Sequence, residues 1–71
     1  MKQIDVSLWE ITPSEVLTLS EDVQVLIYDT LYEKYLLFRA SHIPLYVLSC
    51  EYRVFFTFEE PKFKDKETNN Q

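Results

Sequence analysis

The chain has 71 residues, of which 46% are hydrophobic and 27% charged, and this length provides one small domain with a single core. It contains no glycine, which excludes the loops that wrap phosphates or dinucleotides and the tight turn that exposes a nucleophilic serine. One cysteine and one histidine exclude a structural zinc site and an internal disulfide framework, and they favour a reducing, cytoplasmic location.

The N-terminal segment is ambiguous between a strand and a helix. Residues 3–9 alternate Ile4, Val6 and Leu8 with polar side chains, as in a strand, whereas Ile4, Leu8 and Ile11 also fit one face of a helix. The segment has no unbroken apolar stretch of the kind found in secretory signals.

A short helix is predicted next. Thr12-Pro13-Ser14-Glu15 has the Thr-x-x-Glu form of a capping box, with proline at the first helical position. This motif predicts a helix from Pro13 to Leu19.

Three later segments are rich in β-branched and aromatic residues and predict strands at Val23–Tyr28, Tyr35–Ala40 and Tyr52–Phe58. The first two are separated by a loop without glycine, which indicates a turn longer than two residues. Pro44, after Ser41 and His42, predicts one short helical turn before the last strand. A competing interpretation is a helix in which Val23, Ile27, Leu31, Tyr35 and Phe38 share one face, but the segment lacks a wide polar face.

These elements predict an α+β domain over residues 1–60, with a three- or four-stranded, mostly antiparallel sheet and one or two short helices. Residues 61–71 are polar and aperiodic, which predicts a disordered tail. The longest run without Asp, Glu, Lys or Arg, residues 40–50, is too short for a membrane-spanning helix.

The predicted sheet is apolar on both faces. Alternation assigns to the core face Val23, Val25, Ile27, Leu36, Phe38, Ala40, Tyr52, Val54, Phe56 and Phe58. The other face then carries an apolar stripe of Leu26, Tyr35, Leu37 and Phe55. A sheet that is apolar on both faces needs two covers, and the chain has few residues left to supply the second one.

The second face of the sheet could be covered in three ways. The N-terminal segment could fold across it, a second copy of the chain could cover it, or a foreign protein could bind it. Four exposed side chains of this size form a patch on the order of several hundred Å², which is where exposed patches begin to signal a binding surface.

Acidic residues concentrate in the first half of the chain. Residues 1–33 carry seven acidic side chains and one lysine, so the folded part would repel a nucleic-acid backbone and suit a basic protein partner. The acidic residues predicted to contact such a partner are Glu21, Asp22, Asp29 and Glu33. They could alternatively form a solvated surface, and their spacing matches no calcium loop.

No catalytic, cofactor or metal site is predicted. Cys50 and His42 could be imagined as a thiol nucleophile and its base, but the sequence shows no electropositive setting for the thiol and no oxyanion donors. Cys50 fits better as a small apolar residue at the edge of the core, and His42 as a loop residue.

From Asp22 to Glu60 the chain has an acidic lead-in, a strand ending in Tyr28-Asp29, the strand at 35–40, Ile43-Pro44 and a final aromatic strand. This order of features resembles small acidic proteins of phages and prophages of Gram-positive bacteria, a group that includes anti-CRISPR proteins. The resemblance is one of pattern and assigns no functional residue. It implies a non-enzymatic inhibitor that binds a host nuclease or another defence protein, with a structural subunit that forms a homodimer or larger assembly as the alternative.

Overall fold

A computed structural model describes residues 2–5, 7–49 and 51–64, which form a five-stranded antiparallel sheet with short helices. The strands are β1 (Lys2–Asp5), β2 (Leu8–Ile11), β3 (Gln24–Asp29), β4 (Lys34–Arg39) and β5 (Arg53–Thr57). The α-helices are α1 (Pro13–Leu17) and α2 (Leu45–Leu48), and a 3-10 helix covers Ala40–His42. The α+β class is confirmed, but the prediction of three or four strands is wrong because the sheet has five, in the order β1-β2-β5-β3-β4.

The additional strand comes from the ambiguous N-terminal segment, which forms the hairpin β1–β2. Gln3 lies opposite Trp9, and the chain turns at Ser7. Because the alternation of Ile4 and Leu8 continues through this turn, and no glycine, proline or asparagine marks it, the sequence pattern concealed the reversal.

The capping box at the start of α1 is confirmed. Thr12 Oγ1 accepts the Glu15 backbone N–H at 3.2 Å, and the Thr12 N–H donates to Glu15 Oε1 at 2.8 Å. The hydrogen bond from the Thr12 backbone is the main cause that lowers the pKa of Glu15. The helix ends at Leu17, two residues before the predicted Leu19, because Leu19 pairs with Phe63 in an isolated β-bridge.

The three strands β3, β4 and β5 confirm the predicted strands to within one residue at each end, and the competing helix over residues 23–38 is wrong. Residues 30–33 form the predicted longer turn, and Glu33 has a left-handed backbone with φ of 56°. Glycine ordinarily takes this conformation. The predicted helical turn after Pro44 is α2.

Both α-helices pack on the same face of the sheet, which we call the core face. The buried apolar side chains are Ile11, Val16, Leu19, Val25, Ile27, Val47 and Phe55. Val16 of α1 and Val47 of α2 therefore join the inward rows of the strands. The fold has two layers, with the helices on one side of the sheet only.

The predicted orientation of β5 is wrong. Phe55 lies opposite Ile27 and is 1% exposed, so the core row of β5 is Arg53, Phe55 and Thr57. The sequence pattern placed the polar side chains of this row outward. They are tolerated inside because Arg53 Nε donates to Asp29 and Thr57 Oγ1 donates to the Glu59 carbonyl at 2.7 Å.

Four residues beyond the predicted domain boundary at Glu60 also belong to the packed structure. Pro61 is buried and Phe63 packs against the core. The Ser20 N–H donates to the Lys62 carbonyl at 2.8 Å, and the Lys64 N–H donates to the Thr18 carbonyl at 2.7 Å. Residues 65–71 of the predicted tail lie outside the described residues.

Candidate functional site: the open face of the sheet

The sheet face opposite the helices carries a continuous apolar surface, which we call the open face. It consists of Leu26, Tyr28, Tyr35, Leu37, Val54 and Phe56, whose positions follow from alternation with the buried residues. These side chains come from β3, β4 and β5, the three strands that are adjacent at one end of the sheet order.

Cross-strand pairs hold the open face together. Leu26 lies opposite both Leu37 and Phe56, and Tyr28 lies opposite both Tyr35 and Val54. The rings of Tyr28 and Tyr35 are in contact, with centroids 4.8 Å apart and planes inclined at 39°. Side chains paired in this way support one another, so the surface is preorganised.

Within the described part of the chain, nothing covers the open face. Both helices contribute to the core on the other side, and the N-terminal hairpin extends the sheet beside β5 instead of folding across it. Tyr35 is 66% exposed and Leu37 is 57% exposed, while the other four residues are partly buried.

Polar side chains border this apolar surface. Glu10 on β2 lies opposite Phe56, and Gln24 lies opposite Arg39 at the end of β3 and β4. An apolar centre with a polar border is typical of surfaces that bind another protein.

The predicted apolar stripe is partly correct. Leu26, Tyr35 and Leu37 lie on the open face, but Phe55 is in the core and its prediction as a partner contact is wrong. The inverted orientation of β5 replaces it with Val54 and Phe56, which the sequence pattern predicts to be in the core. Tyr28 also lies on the open face and is not part of the predicted stripe.

Asp29, predicted as a partner contact, is 4% exposed, so the prediction is wrong. Its Oδ1 accepts the backbone N–H groups of Leu31 and Tyr32 at 3.0 and 2.9 Å, and its Oδ2 accepts Arg53 Nε at 3.4 Å. Asp29 therefore fixes the turn between β3 and β4 and supplies the counter-charge for Arg53.

The remaining predicted acidic contacts are exposed but do not form a cluster. Glu21 and Asp22 lie in the turn before β3, whereas Glu33 lies in the turn after it. A strand of this length separates the two ends by roughly 17 Å. Asp22 instead shares an open groove of about 310 Å³ with Glu59 and Glu60, a grouping that the sequence spacing did not reveal.

The described residues contain no group of three His, Cys, Asp or Glu side chains placed to hold a metal ion. His42 is exposed in the 3-10 helix, and Cys50 lies outside the described residues. In residues 2–5, 7–49 and 51–64 no helix has the length and apolar character needed to cross a membrane.

Comparisons of the chain with protein families, curated proteins and solved structures found no match.

Proposed function

We propose that the protein is a non-enzymatic protein-binding module whose partner docks on the open face. The observation that carries this proposal is that six apolar side chains form a continuous surface on the side of the sheet away from both helices. A globular chain of this size gains stability by burying such residues, so a sheet face left apolar suits a protein that has a partner.

The size of the patch sets what the partner must supply. An apolar patch of several hundred Å² returns on the order of 10 kcal/mol when it is buried, and association costs roughly 4 to 15 kcal/mol. The apolar contact alone would therefore bind weakly. Polar contacts to the border, above all to Glu10 and Arg39, would supply the remaining affinity and fix the orientation of the partner.

The chemistry of the partner follows from charge. The chain has a net charge of −5, and Glu21, Asp22 and Glu33 are exposed at the two ends of β3. These charges favour a basic protein and raise the rate of its encounter. We therefore propose a nucleic-acid-handling enzyme in a host cytoplasm, such as a CRISPR-Cas nuclease, as the target. The resemblance to phage-encoded inhibitors supports the same partner class.

The test uses purified nucleases of this class and measures both binding and DNA cleavage. Leu37→Glu, on the open face, should weaken binding and inhibition about tenfold or more, because it places a charge in a desolvated contact. Leu45→Glu is the matched control. Leu45 is 74% exposed on α2, on the other side of the sheet, and the substitution changes the net charge equally. Equal losses in the two variants, or no loss in either, would contradict docking on the open face.

The electrostatic part has its own test. Reversing the charges of Glu21, Asp22 and Glu33 together should weaken binding at low salt and flatten its salt dependence. Unchanged affinity at both low and high salt would reject the proposal of a basic partner but would not contradict docking through the apolar open face.

A further inference from the structure

β4 forms one outer edge of the sheet, with charged side chains at its two ends, Lys34 and Arg39, and four uncharged residues between them. β4 is the last strand in the sheet order, has six residues in continuous register with β3, and contains no proline. The opposite edge differs, because β1 has four residues and its register shifts between Gln3 and Asp5. A regular edge without a proline or a register shift can pair with another strand.

The backbone groups that point outward from β4 can be identified. The Ala40 N–H donates to the Val23 carbonyl at 2.8 Å, and hydrogen-bonded pairs in an antiparallel ladder recur at every second residue. The backbone groups of Lys34, Leu36 and Phe38 therefore face β3. Those of the intervening residues face away from the sheet, and no described residue pairs with them.

Tyr35, Leu37 and Arg39 thus present both free backbone groups and side chains on the open-face side of β4. A strand with this pattern can pair with a second copy of itself. When two such strands meet antiparallel about a twofold axis at Leu37, Leu37 lies opposite Leu37 of the second copy, and Tyr35 lies opposite Arg39. All the outward backbone groups then find partners, and each Arg39 guanidinium lies beside a tyrosine ring.

Neighbouring registers fit less well. Moving the axis to Leu36 would require Glu33 to pair with Arg39, but Glu33 has a left-handed backbone that is not extended. Opposing Lys34 to Arg39 would set outward backbone groups against inward ones and place like charges together.

We propose that the protein forms a homodimer in which the two β4 strands pair antiparallel about a twofold axis at Leu37. The two sheets then become one continuous sheet of ten strands, and the two open faces lie side by side. The proposal goes beyond the docking of a foreign partner, because it uses the edge of the sheet and concerns the protein alone.

Sedimentation of the purified protein from about 1 µM to about 1 mM tests the dimer. Leu37→Lys and Leu37→Glu should each weaken self-association roughly tenfold or more, since like charges then oppose each other at the axis. A mixture of the two variants should recover it as a heterodimer. The same two substitutions at Leu31, which is 60% exposed in the turn between β3 and β4, are the matched control and should leave self-association unchanged.

A chemically synthesised chain with N-methylated Leu37 distinguishes pairing through the backbone edge of β4 from contact through the side chains of the open face. The modification removes one outward N–H and keeps the side chain, so it should abolish the dimer while circular dichroism reports an intact fold. A wild-type protein that stays monomeric throughout, a mixture that fails to associate, or an N-methylated chain that still dimerises would each overturn the proposal. None of these results involves a foreign partner. Because Leu37→Glu bears on both proposals, the N-methylated chain, which keeps the Leu37 side chain on the open face, is the variant that tells their failures apart.

Discussion

Replacing Asp29 with alanine removes the interactions that fix the turn between β3 and β4. Its two hydrogen bonds from Leu31 and Tyr32 measure 3.0 and 2.9 Å, and each bond to a charged group is worth about 1.5 kcal/mol or more. The longer contact with Arg53, at 3.4 Å, adds less, because Arg53 also donates to the Val47 carbonyl. We therefore expect Asp29→Ala to lower the free energy of unfolding by about 3 kcal/mol.

Asp29→Asn distinguishes the contribution of the turn hydrogen bonds to stability from the contribution of the ion pair with Arg53. It keeps an oxygen acceptor for the two N–H groups and removes the charge, so the expected loss is about 1 kcal/mol. Glu33→Gln makes the same change of charge at an exposed position in the same turn and should change stability by less than about 0.5 kcal/mol. Urea denaturation followed by far-ultraviolet circular dichroism measures all three. An alanine variant as stable as the wild type, or a Glu33→Gln loss equal to that of Asp29→Asn, would refute this account of the buried carboxylate.

Four further predictions use the same unfolding measurement. Phe55→Ala should cost about 3 to 5 kcal/mol and Phe56→Ala clearly less, and the reverse order would contradict the orientation of β5. Thr12→Ala should cost about 1 kcal/mol through loss of the cap, with Thr12→Ser close to wild type. Because the Thr12 N–H lowers the pKa of Glu15, the carboxylate stabilises the fold above the ordinary glutamate pKa and loses this effect as pH falls through the lowered pKa. Glu15→Gln should therefore be less stable than wild type at neutral pH, and this difference should shrink as the pH falls below the ordinary glutamate pKa. Glu33→Gly should stabilise the turn by about 1 kcal/mol, since glycine takes a positive φ without strain; an unchanged midpoint would contradict this.

Local signals in the sequence predicted those elements whose structure is determined by neighbouring residues. The capping box located the start of α1, and the density of β-branched and aromatic residues located β3, β4 and β5. The N-terminal hairpin was missed because its alternation continues through the turn at Ser7. The polar, aperiodic composition of residues 61–71 predicts a disordered tail and does not reveal that Phe63 pairs with Leu19, because pairing with a residue so distant in sequence leaves no periodic signal.

The acidic residues show why charge alone did not locate the site. Asp29 and Glu33 are close together in sequence and were assigned the same role, yet one is buried and the other exposed. Asp29 lies in the inward row of β3, opposite Arg53 of β5, which pairs with it, whereas Glu33 lies in the turn. The donors to Asp29 in the turn are local, but its counter-charge comes from β5, a segment distant in sequence, and spacing along the chain does not contain that information.

The orientation of β5 could not be decided from alternation, yet the prediction of an open apolar face did not depend on it. One row of β5 carries Val54 and Phe56, and the other carries Phe55 between Arg53 and Thr57. Whichever row faces the core, the opposite row presents at least one phenylalanine beside Leu26. The ion pair with Asp29 and the bond from Thr57 Oγ1 select the polar row for the core. That selection leaves the more apolar row on the open face, so the surface available to a partner is larger than the sequence pattern predicted.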